Sequence, residues 1–150
     1  MAEKLLILGD APCLSSDLDH VLPFSGSIMA INRAGLRYRE PIDFWCTYHP
    51  EKFWQEWRRN RASLGGNENF LEITDRDVRN IPISGSSVLL GIIWGLARFE
   101  SIIVAGAPLN DDGYHMYRKG WENEASIIAG RVTSLSGWTK TFLEGLNHGA

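Results

Sequence analysis

Residues 4–22 read KLLILGDAPCLSSDLDHVL. Four apolar residues in a row, Leu5 to Leu8, show no alternation with polar ones. That is the pattern of a strand covered on both faces, as in a parallel sheet. Gly9-Asp10-Ala11-Pro12-Cys13 then breaks the run, and a helical pattern follows. The stretch therefore predicts a strand over Lys4–Gly9, a tight loop and a helix over Ser15–Leu22. The loop is neither G-x-G-x-x-G nor G-x-x-x-x-G-K-[ST]. A glycine turn feeding a helix N-terminus still suits an anion, because the backbone approaches closely and the first N–H groups lack intrahelical acceptors. Ser15 or Ser16 is the expected cap. Asp10 repels a phosphate, so its expected role is to hydrogen-bond a ribose or orient amides. A βα turn that binds nothing is the competing reading.

The same punctuation recurs. Strands are expected at Ser27–Ile31, Ile42–Thr47, Phe70–Ile73 and Ser101–Ala105, with an edge strand at Arg131–Leu135. Helices are expected at 50–61, where Pro50 suits a first turn, at Ser84–Phe99, around Trp121–Ile128, and at Gly137–Leu146. Residues 106–120 (GAPLNDDGYHMYRKG) read as a long loop. Buried strands alternating with helices predict an α/β fold: a single doubly wound, mostly parallel sheet with helices on both faces, filling one domain over 1–150. Ligands of such sheets sit beyond the carboxyl ends of the strands. The loops after the first, second, third and fifth strands should therefore share one face.

Composition narrows the function classes. A chain of 150 residues with 44% hydrophobic and 22% charged residues matches an ordinary globular domain. A net charge of −3 argues against a nucleic-acid partner, which calls for a basic excess. The longest apolar run, Val88 to Ala97, is about half the roughly 20 residues that span a bilayer, so no membrane span is expected. Cys13 and Cys46 form neither a zinc pattern nor a disulfide framework, which fits a reduced, cytoplasmic setting.

The candidate site residues fall in the expected loops. Ser84, Gly85, Ser86 and Ser87 open the most apolar helix, with more hydroxyls than a cap requires, and can hand donors to a phosphate or carboxylate. Gly91 and Gly95 on that helix predict close packing on the sheet. Asn32 emerges where the second strand stops and suits a base edge or ribose, or an Asx-turn. His49 can contact phosphate or transfer a proton. In the 107–119 loop, His115 is the expected acid or base. Arg118 and Lys119 can stabilise phosphate charge, Tyr114 and Tyr117 can ease its departure, and Asp111 and Asp112 can orient a donor or hold Mg²⁺. Ser136 reads as a cap or ligand contact, and Trp138 as a core, interface or base-stacking ring. Arg58, Arg59 and Arg61 read as a solvated helix face.

In order, these motifs resemble the Rossmann-like superfamily of bacterial sialyltransferases of the GT-42 type and MptE-like (DUF115) proteins, short members of which occur in phage and environmental sequences. The resemblance covers roughly Leu5 to Gly113 and rests on LGDAPCLSSDL, AINRAG, IDFWCTYHPE and ISGSSVLLGIIWGLARFESIIVAGAPLND. It implies a nucleotide or nucleotide-sugar ligand bordered by Gly9, Asn32, Ser84 and Gly85, with the neighbouring Asp10, Ala11 and Ser86 as further nucleotide-binding candidates. It also implies a glycosyltransferase with His115 as general base. The alternatives are a Mg²⁺-dependent diphosphotransferase of the MptE type and a non-catalytic binding module. Cys13 stands where that family's loop has serine, and Ala107-Pro108 where an acidic residue follows the late strand.

Overall fold

The computed structural model describes residues 3–79 and 86–148. Strand β1 (Lys4–Leu8) buries all four of its apolar residues, and it lies between two parallel neighbours. One neighbour is β2 (Ser27–Ile31), followed outward by β3 (Phe44–Cys46) and β4 (Leu71–Ile73). The other is β5 (Ser101–Ala105), with β6 (Val132–Ser134) at that edge. The six strands run in the order β4-β3-β2-β1-β5-β6, all parallel. Strand order reverses between β1 and β5, so a crevice opens beyond their carboxyl ends. This is a Rossmann-like α/β fold.

Successive side chains on a strand point to opposite faces, and two cores follow. Leu6, Leu8, Ile28, Ala30 and Trp45 face helix α1 (Leu14–Val21), the short α2 (Ala34–Arg37) and the aromatic residues Phe53 and Trp57. Trp45 and Trp57 stack there with ring centroids 5.7 Å apart. Leu5, Ile7, Met29, Ile31 and Val104 face the opposite way, toward α4 (Ser87–Leu96), α5 (His115–Asn123), α6 (Ala125–Ile128) and α7 (Gly137–His148). The two glycines of α4 let it lie on the sheet. A Cβ at Gly91 would stand 2.8 Å from Met29 Sδ, and one at Gly95 2.7 Å from Leu5 Cδ2.

Four expectations need correction. The segment 106–120 is not a continuous loop: a 3-10 turn at Asp112–Tyr114 runs into α5, which starts at His115. The fully buried Trp121 fixes that helix to the core, and a lone apolar anchor gives little periodicity to read. The helix after Pro50 contains a π turn at Phe53–Trp57 before α3 (Arg58–Ser63). Neither serine caps α1: Cys13 holds the cap position without a side-chain bond, and Ser16 Oγ donates to the Cys13 carbonyl.

Arg61 is the fourth case. It is 1% exposed, not solvated. Its guanidinium donates to the carbonyls of Gly35, Tyr38, Glu40 and Asn67 and to Asn67 Oδ1. The planar fork of arginine matches this ring of acceptors, which come from segments a helical wheel cannot see. Arg58, by contrast, stays at the surface and pairs with Glu72.

Candidate functional site

A cleft of about 330 Å³ lies at the β1/β5 crevice. Its floor is the contact between Gly9 and Gly106. Gly106 has φ of +71°, and a Cβ there would sit 2.6 Å from the Gly9 carbonyl oxygen; a Cβ on Gly9 would collide with the Gly106 carbonyl. The Gly9 N–H donates to Ala105 O at 2.7 Å and the Ala11 N–H to Gly106 O at 3.0 Å. The loop after β1 is thus stitched to the loop after β5, and those two amides are spent on the fold.

Asp17, which has no obvious role in the sequence, completes the floor. It is 6% exposed. Its Oδ2 accepts the Gly106 N–H at 2.8 Å and the Ser136 hydroxyl at 2.9 Å. Cys13 Sγ stands 3.8 Å from the same oxygen and 3.3 Å from Ser136 Oγ. One carboxylate therefore ties together the starts of α1 and α7 and the end of β5. An acid in the first turn of a helix reads as a favourable dipole contact. The partners 89 and 119 positions away leave no local signal.

The walls bring together Asp10, Ala11, Asn32, His49, Ser86, Tyr114 and Tyr117 from the expected set, along with Tyr48, Ser87, Val88 and Leu109. Asp10 does not present a bare charge. Arg37 Nη1 lies 3.1 Å from its Oδ1 and also donates to the carbonyls of Asp10 and Ala11. Ser86 caps α4, its Oγ accepting the Leu89 N–H at 3.1 Å, and Ser87 Oγ accepts the Tyr48 N–H at 3.3 Å. Each hydroxyl keeps its hydrogen to donate. At a helix start the Ser87 and Val88 N–H groups have no intrahelical acceptor. Ser84 and Gly85 lie outside the described residues.

Two buried polar atoms of the wall have no hydrogen-bond partner among the described residues: Asn32 Oδ1 and the Tyr48 hydroxyl. Asn32 Oδ1 accepts no backbone N–H, so no Asx-turn accounts for it; the residue sits at φ +50°, and Leu109, which also lines the cleft, is left-handed at +51°. Burial, reinforced by Cys46 and Asp75, pushes the Tyr48 hydroxyl up to about 12. Unpartnered polar atoms and left-handed non-glycine residues cluster where a fold serves a ligand.

The remaining expected residues do not line the cleft. His115 is exposed on α5. Arg118 points back into the fold, donating to the carbonyls of Leu109 and Asp111 and lying 5.6 Å over the Trp138 ring. Its role is to hold the loop, and its fixed donors are not offered to a ligand. Ser136 serves Asp17 and caps no helix with its hydroxyl. Trp138 stacks on Phe142 at 4.7 Å. Among the described residues no group of three or more His, Cys, Asp or Glu side chains is placed to hold a metal ion. No described helix is long and apolar enough to cross a membrane.

Fold and cleft define a Rossmann-like α/β protein with a small-molecule-sized site at its switch point. No family model, curated protein or solved structure matches the chain.

Proposed function

We propose that the cleft binds a nucleotide or nucleotide-sugar. The carrying observation is the convergence of Gly9, Asn32, Ser86, Ser87 and Gly106 on one crevice at the sheet's switch point. The phosphate belongs at the start of α4, where two serine hydroxyls and the Ser87 and Val88 amides offer donors. The Gly9–Ala11 loop supplies shape rather than amides. Asn32 Oδ1 accepts from a ribose hydroxyl or a base amino group. Calorimetric titration with AMP, CMP, GMP, UMP and their sugar conjugates should give saturable one-to-one binding for at least one. Absence of heat and of thermal stabilisation with every one of them overturns the reading.

Glycosyl transfer is the second reading, and the position of His49 favours it. This imidazole lines the cleft, with Nδ1 3.9 Å from Glu51 Oε1. In this reading His49, not His115, takes the proton of an acceptor hydroxyl. The acceptor oxygen then bonds to the anomeric carbon as the bond to the nucleotide phosphate breaks, and the departing phosphate rests on α4. His49→Ala should abolish transfer and sugar-nucleotide hydrolysis while leaving nucleotide affinity within about two-fold. Undiminished turnover in that variant rules the assignment out.

A further inference from the structure

The chain has 16 aromatic residues. Of those whose side chains are described, only Tyr114 and Tyr117 are exposed, at 37% and 39%. Both line the mouth of the cleft. Their ring centroids are 5.9 Å apart and the planes are tilted by 32°, a looser arrangement than the 4.7 Å and 9° of Trp138 and Phe142. The two rings thus do not consume each other's faces. The turn that carries them is anchored: Arg118 donates to the Leu109 carbonyl, and the fully buried Trp121 lies one turn on. A backbone anchored before binding lowers the ordering cost when a ligand arrives.

We propose that Tyr114 and Tyr117 form a stacking platform for the ligand's nucleobase, in the cleft that Ser86 and Ser87 of the α4 start also line. The inference rests on the cleft being a nucleotide site and assigns the place of the base. The rings offer faces rather than a pattern of donors, so the platform accepts a planar aromatic heterocycle with weak preference among bases. A ligand with phosphate and ribose but no base uses the α4 start and Asn32 but not the tyrosines.

The test compares nucleoside monophosphates with ribose 5-phosphate on wild type, on Tyr114→Ala/Tyr117→Ala and on Tyr114→Phe/Tyr117→Phe, with thermal melting to check folding. The alanine pair should weaken nucleoside monophosphate binding about ten-fold or more, leave ribose 5-phosphate within about two-fold, and melt like wild type. The phenylalanine pair should bind like wild type. If wild type binds nucleotides and the alanine pair binds them equally well, the platform is overturned while the nucleotide site stands. An equal fall for both ligands also overturns it. If wild type binds neither ligand, the nucleotide reading fails and the platform with it.

Discussion

The Asp17 carboxylate accepts the Gly106 amide hydrogen at 2.8 Å across 89 residues of chain. Both groups are buried, so water cannot replace either partner. Asp17→Ala leaves the Gly106 N–H and the Ser136 hydroxyl without their acceptor. Hydrogen bonds to a buried charge carry about 1.5–3 kcal/mol each, so the variant should lose roughly 3 kcal/mol in urea unfolding. A loss under about 0.5 kcal/mol, the range of neutral surface changes, would show that Asp17 does not clamp the floor.

The Gly9–Gly106 contact has no room for a side chain. Gly9→Ala should cost about 1–3 kcal/mol, as overpacking does, and weaken nucleotide binding by displacing the floor. Gly113→Ala is the control: nothing lies within 4 Å of its added Cβ, and stability should stay within about 0.5 kcal/mol.

Tyr48 couples stability to alkaline pH. An unfolded tyrosine ionises near about 10, whereas burial holds the Tyr48 hydroxyl protonated up to about 12. A raised acidic pKa favours the folded state less as the unfolded chain gains the right to ionise. Its contribution is therefore intact below pH 10 and is lost as pH rises from about 10 toward 12. Tyr48→Phe should lose less stability across that interval than wild type, measured by urea midpoints. At pH 7 it should be at least as stable as wild type, because the hydroxyl it removes has no partner among the described residues. A parallel pH response in the two proteins contradicts this.

Arg61→Ala should cost about 3 kcal/mol or more, since it strands the buried carbonyls of Gly35 and Tyr38 and the part-buried ones of Glu40 and Asn67. Arg61→Lys should recover only part, because an ammonium cannot reach acceptors spread around a planar fork. Full recovery by lysine, read from denaturant unfolding, would mean that charge alone suffices.

These residues also mark what local sequence can carry. β2 and β5 lie on the residues expected, because a parallel strand covered on both faces needs an unbroken apolar run and SIMAI and SIIVA supply one. The cleft loops were legible for the same reason: strand ends fix where the loops emerge, and Gly9, Asn32 and His49 follow such ends, whereas Ser86 stands at the start of α4. Asp17 and Arg61 were not, since charged residues on amphipathic helices read as solvated until their distant partners are known. The directions of His115 and Arg118, which do not line the cleft, could not be read because a loop reading leaves side-chain direction free. Once Trp121 anchors α5, Arg118 turns inward and the two exposed tyrosines take the cleft mouth.

Where a nucleotide touches the protein is tested most directly by amide and side-chain chemical-shift mapping during titration with a nucleoside monophosphate. The predicted shifts fall on Gly9, Asn32, Ser87, Val88, Tyr114 and Tyr117, with Arg118 and Trp138 little changed. Saturating shifts confined to the groove between Asp77, Trp94 and Ile127, or no shifts at all, would contradict this placement.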